Sequence, residues 1–247
     1  TVVIPSAPLR FVLRHLSTLA SLAGLATTCL GCATTSADQE QTGWRISHGK
    51  PQQIDRGPTS YESEIGGLSE DDMVRAFFEL GKDVKRCARD SPARALLGGQ
   101  LELSLRIKRD GTLKWVHMPT TTLGDRAVER CIIAAAESRE WPKPKSGEGV
   151  ATHSYDVDAV EETEDWDPRR LSSVMGSIRK KTWPCLKQHR GHFVATLYVA
   201  KDGQVAAAGV STPDHESEEA ADCVADALQK LRFGKPKGVA KVTFELR

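Results

Sequence analysis

Leu101-Glu102-Leu103-Ser104-Leu105-Arg106-Ile107-Lys108-Arg109-Asp110-Gly111-Thr112-Leu113-Lys114-Trp115-Val116-His117 is the stretch that decides the fold. Leu101, Leu103, Leu105 and Ile107 alternate with Glu102, Ser104, Arg106 and Lys108; Leu113, Trp115 and His117 then resume the alternation. Period two marks a strand with one face in a core. Asp110-Gly111 lies between the two runs, and a glycine there supplies the positive φ of a tight primed turn, so a β-hairpin is predicted. The object recurs downstream. Phe193, Ala195, Leu197 and Val199 alternate, Lys201-Asp202-Gly203 turns, and Gln204 to Val210 returns.

The two stretches belong to a longer repeat. Gly111 and Gly203 are 92 residues apart, as are Cys131 and Cys223, Trp141 and Phe233, and Pro144 and Pro236. Lys-Pro-Lys surrounds each of those prolines, and Gly-Val-Ala follows at Gly149 and at Gly238, an interval of 89 that places three extra residues in the first copy's loop. An internal repeat sets the domain organisation before any local detail does.

Helical signals flank each hairpin. Ser69 is placed as an N-cap with Glu70, Asp71 and Asp72 behind it, Leu68 and Met73 stand at the staple positions, and Val74, Phe77, Phe78, Val84 and Cys87 keep a helical stripe. A helix from about Asp125 carries Ala127, Val128, Cys131, Ile132 and Ala135. In the second copy Asp167 caps, Pro168 takes the first helical position, and Leu171, Val174, Met175 and Ile178 keep the period until Pro184 interrupts it. Ala220, Cys223, Ala227 and Leu231 form the last stripe. The expected fold is α+β: two tandem α-β-β-α-β modules, each a small three-stranded antiparallel sheet covered by two helices. Module one spans 68–158 and module two 167–247. Residues 159–166 form an acidic linker, within a stretch from Asp156 to Asp167 in which seven of twelve residues are acidic. That stretch lacks the fixed positions of an EF-hand loop and reads as solvated.

Residues 1–32 read as an export signal. Arg10, Arg14 and His15 make a basic start, and Leu16 to Thr28 is an apolar run shorter than the roughly 20 residues a spanning helix needs. Cys29-Leu30-Gly31-Cys32 closes it. This resembles the signal of bacterial lipoproteins, in which a cysteine after a small residue, here Cys32 after Gly31, is lipidated and becomes the mature N-terminus. Cys29 stands where that family usually carries an aliphatic residue. An ordinary secretory signal cut after Ala37 is the competing reading. Residues 33–67 are polar, without a sustained period, and read as a flexible tether. Six cysteines include the two of the signal, which leaves two per module. The repeat pairs Cys87 with Cys131 and Cys185 with Cys223, closing loops of 44 and 38 residues. Each such bond contributes about 3–4 kcal/mol on the loop-entropy estimate.

Candidate chemistry is sparse. Net charge is +1, unlike the clearly basic balance of a nucleic-acid-binding domain. Arg179-Lys180-Lys181 and Lys85-Arg86 read as solvated helix faces. Ser177-Ile178-Arg179-Lys180 has the Ser-x-x-Lys pattern of penicillin-recognising enzymes, without their Ser-Asp-Asn and Lys-Thr-Gly partners. His189 and His192 lack a third ligand at metal spacing, and Cys87 and Cys131 have no paired zinc-type motif. Gly98-Gly99 precedes a strand, where a phosphate loop follows one. What recurs between the copies is structural, so a non-catalytic chain is expected, without cofactor, metal, nucleic-acid partner or small-molecule substrate.

Helix cysteine, Asp-Gly hairpin, helix cysteine, aromatic, proline and final strand together resemble the TonB C-terminal fold, with the nearest likeness to the module of AgmX/PglI-type gliding-motility proteins. The matching residues are Cys87, Asp110-Gly111, Cys131, Trp141-Pro142 and Pro144, then Cys185, Asp202-Gly203, Cys223, Phe233 and Pro236, over about 68–247. Copy two departs in having Gly234 where Pro142 stands. Such modules act in the periplasm, where an exposed strand pairs with a peptide of an outer-membrane partner. The resemblance therefore implies a lipid-anchored envelope protein that faces the periplasm and binds an envelope protein or peptide. Ala33, with no acidic residue after the lipidated cysteine, leans this towards the outer membrane. TonB's N-terminal transmembrane helix has no counterpart in this reading, so the resemblance implies binding and not energy transduction. The expected recognition edge is Val239 to Arg247, or Val150 to Val157 in module one, with Lys241, Thr243 and Glu245 on one face tuning specificity. The alternatives are an envelope hydrolase with an unrecognised site and a structural spacer whose modules block each other's edges.

Overall fold

A computed structural model describes residues 59–62, as backbone, and 67–246. Cys32, the export signal and most of the expected tether lie outside the described residues. The fold is mixed α+β, with four helices and two sheets among those residues. Strands β1 (Thr59–Glu62), β2 (Gly99–Ile107), β3 (Leu113–Thr121) and β4 (Gly149–Val157) make one antiparallel sheet in the order β1-β4-β2-β3. Strands β5 (Glu164–Asp165), β6 (Phe193–Val199), β7 (Val205–Ser211) and β8 (Ala240–Leu246) make a second, in the order β5-β8-β6-β7, with β5 parallel to β8.

Each sheet has four strands where three were expected. The additional ones come from stretches read as irregular: β1 from the tether, β5 from the acidic linker. In that linker the Val160 and Glu161 N–H groups both donate to the Ala95 carbonyl, and Trp166 is buried. The backbone of the linker is therefore held against the fold, while its acidic side chains, Glu164 apart, are exposed as expected.

Helices α1 (Glu70–Arg89) and α2 (Arg126–Glu137) cover one face of the first sheet. Three acids open α1 and Arg86 and Arg89 close it, which suits the helix dipole. Met73, Phe77, Leu80, Val84 and Cys87 form its buried stripe against Leu101, Leu103, Leu105 and Ile107. On its outer face Asp72–Arg75, Glu79–Lys82 and Asp83–Arg86 pair at i,i+3. Ser69 occupies the N-cap but its side chain makes no capping bond; its carbonyl accepts from Met73 N–H. Asp125 caps α2, its carboxylate accepting from the Ala127 and Val128 N–H groups. Helices α3 (Met175–Leu186) and α4 (Glu218–Gln229) cover the second sheet. Residues 168–171, expected to begin α3, form a separate 3₁₀ turn. Pro184 lies inside α3 rather than before its end. The carbonyl it leaves without a helical donor belongs to Lys180, an exposed residue.

Cys87–Cys131 joins α1 to α2 and Cys185–Cys223 joins α3 to α4, with Cα separations of 5.8 and 5.7 Å. The hairpin turns are longer than the primed two-residue form. Gly111 N–H donates to the Lys108 carbonyl, and Gly203 N–H to that of Ala200; the glycines close these β-turns with φ of +90° and +84°. Each glycine carbonyl then accepts from the aromatic at the far landmark, Trp141 or Phe233. A Cβ on Gly111 would stand 2.7 Å from the Trp141 carbonyl oxygen, so the glycine and the aromatic recur together because one backbone docks on the other.

Candidate recognition surface

A strand recognises an extended peptide only through an edge that nothing else occupies. The first sheet ends in β1 and β3, the second in β5 and β7. The inner edges face one another: Thr212 N–H donates to the Met118 carbonyl at 3.1 Å, and the Trp115 ring stacks on His215 with centroids 5.2 Å apart. β3 and β7 thus close each other. On the outer side β1 pairs with Val150–His153 of β4, and β5 pairs with Ala240 and Lys241 of β8. Among the described residues, Val242–Phe244 has no strand on that side, and neither has Ser154–Val157. A depression of about 320 Å³, lined by Met175, Arg179, Glu245 and Leu246, adjoins the end of β8.

The three expected specificity residues fall in different environments. Lys241 Nζ donates to the Gly98 carbonyl at 2.6 Å and lies over the Tyr198 ring, and burial pulls its pKa down. Thr243 shares a 2.9 Å hydroxyl hydrogen bond with Thr196. Lys241 thus belongs to the contact between the sheets, whereas the Thr243–Thr196 bond lies within the second sheet. Glu245 is exposed at the rim of the depression. The four cysteines are in their two bonds.

The contact between the sheets holds the polar residues that the sequence reading did not single out. Glu129 is fully buried; Oε1 accepts from the Thr121 hydroxyl at 3.2 Å and Oε2 from Val210 N–H at 3.1 Å. Arg126 Nη1 stands 3.7 Å from Glu129 Oε2. Its Nε donates to Asp222 and its Nη2 to Glu218, both at 2.7 Å. Glu218 Oε1 in turn accepts from Met118 N–H and the Thr212 hydroxyl. Burial raises the Glu129 pKa to about 7, against the opposing pull of Arg126 and the two donors. Burial also works against the charge on Arg126, but Glu218, Asp222 and Glu129 outweigh it, and its pKa rises. Glu129 stands three and seven residues before Ile132 and Ala136, on the apolar stripe of α2. A charge on such a stripe was the available signal. Gly98, dismissed as part of a phosphate loop, meets Tyr198 through both its N–H and its carbonyl.

Near the same seam His117 is buried, its Nδ1 without a hydrogen-bond partner, and burial lowers its pKa. No group of three or more His, Cys, Asp or Glu side chains suited to a metal ion occurs among the described residues. No helix among them is long and apolar enough to cross a membrane. Comparison with protein-family models, curated proteins and solved structures finds no match to this chain.

Proposed function

We propose that this chain is a non-catalytic cell-envelope lipoprotein that recognises an extended segment of another envelope protein by strand addition to β8. In this reading the two halves are tandem copies of one TonB-like module, anchored through Cys32 and facing the periplasm. The observation that carries it is the outer edge of β8, where β5 stops after Lys241 and Val242–Phe244 continues without a strand neighbour among the described residues. Backbone N–H and C=O groups on such an edge supply affinity, and the adjoining depression by Met175 and Arg179 supplies a pocket for alternate side chains. Photo-crosslinking in the source cells from single positions 242 to 246, read by mass spectrometry, tests it. One envelope protein captured with a two-residue periodicity is expected. Failure to capture any protein, with both disulfides formed, refutes the assignment.

A second reading, a structural spacer, is favoured by the closed β3–β7 seam, which blocks one edge of each sheet. Under it the β8 edge captures nothing, and lengthening or rigidifying the chain alters envelope spacing instead.

A further inference from the structure

The charge on this chain is unevenly placed. From Leu171 to Ala200 there is no Asp or Glu, while Arg179, Lys180, Lys181, Lys187 and Arg190 fall within it. All five are exposed, and none takes part in an ion pair among the described residues. The outer face of α1 is the contrast: there each of Arg75, Lys82 and Arg86 has its own acid three residues earlier. On α3 the inner stripe of Ile178, Thr182 and Leu186 is buried, so the opposite side is free to meet something else.

That side also carries Trp183, 61% exposed. Lys180, Trp183 and Lys187 lie three, four and seven residues apart, which puts them on one stripe with Arg179 beside it. A depression of about 570 Å³ is lined by Arg179, Lys180, Thr182, Trp183 and Leu186. An indole ring has an apolar body and a polar edge and settles at the headgroup level of a bilayer. Unpaired lysines and arginines around it are drawn to anionic headgroups, while their aliphatic stems lie along apolar surface.

We infer that α3 is a docking face for an anionic phospholipid surface, with Trp183 entering the headgroup layer and Arg179, Lys180, Lys181, Lys187 and Arg190 neutralising the phosphates around it. The inference does not rest on strand addition at β8. The whole chain is mixed with vesicles of phosphatidylcholine containing phosphatidylglycerol, or of phosphatidylcholine alone. Hydrogen exchange of amides 177–192 and quenching of tryptophan by brominated lipid locate the contact, so attachment through other segments does not mimic it. Protection of 177–192 is expected on the anionic vesicles only, weakening with salt. Quenching attributable to α3 is expected to vanish in Trp183→Phe. Each basic side chain near such a surface contributes about fivefold in binding, so Lys180→Glu with Lys181→Glu is expected to weaken the α3 contact at least about twentyfold. Both residues are exposed, and far-UV circular dichroism checks that the variant is folded. Equal protection on neutral vesicles, or none on either, overturns the inference. So does protection by soluble glycerophosphate alone, or by self-association of the chain that the charge reversals abolish.

Discussion

Glu129 makes the stability of this protein depend on pH in a direction opposite to that of an ordinary surface carboxylate. Its side chain is fully buried, and burial raises its pKa from 4.5 to about 7. A group whose pKa is raised on folding contributes stability that is complete below the unfolded value and lost as pH rises through the folded one. At about 1.4 kcal/mol per pH unit, the interval corresponds to a loss of about 3 kcal/mol between pH 4.5 and 7. Glu129→Gln keeps an acceptor for Val210 N–H and lets the Thr121 hydroxyl turn to accept from the amide, but removes the titration. The variant is expected to match the wild type near pH 4.5 and to exceed it by about 3 kcal/mol above pH 7. Urea unfolding from pH 4.5 to 8.5, followed by far-UV circular dichroism, measures the difference. His117 and His153 have pKa values lowered by burial, so they act in the opposite sense, losing stability as pH falls through the ordinary histidine range. The wild-type-minus-variant curve removes their shared contribution. A flat difference curve, or one that rises with pH in favour of the wild type, refutes the reasoning.

Three further predictions concern the same seam. Gly209→Ala would set a Cβ against Glu129 Oε1 and 2.8 Å from Asp125 N and Gly124 Cα, so it is expected to cost about 1–3 kcal/mol, seen as a lowered urea midpoint. Arg126→Met leaves Glu129 and Glu218 without their buried cation and is expected to cost about 3–5 kcal/mol. Arg130→Met, which removes only an exposed partner 3.9 Å from Asp222, should change the midpoint by less than about 1 kcal/mol.

What was legible in the sequence is what local periodicity encodes. The alternation of 101–107 and 193–199 gave the central strands, and the stripes of α1, α2 and α4 gave helices whose cysteines meet. β1 and β5 were not legible because four and two residues carry no usable period, and each is a strand only by pairing with a neighbour distant in sequence. The turn type was missed for a related reason. Asp-Gly fits a primed turn by composition, but the glycine's position is set by the carbonyl of Trp141 or Phe233 docking behind it, a contact 30 residues away in each case. Lys241, Thr243 and Glu245 were read from alternation as sharing one face of the last strand. Alternation says which side chains share a face, but not that Gly98, just before β2, receives the Lys241 ammonium.

Arg126 and Glu218 are 92 residues apart, the same interval that separates the two hairpin glycines and two of the cysteines. In the proposed repeat they are counterpart positions, and they carry opposite charges. A first half meeting another first half through this seam would press arginine on arginine; two second halves would press glutamate on glutamate. Only unlike halves match. Like halves are thereby discouraged from associating, and a cut in the intervening segment is expected to leave two fragments that choose each other over themselves.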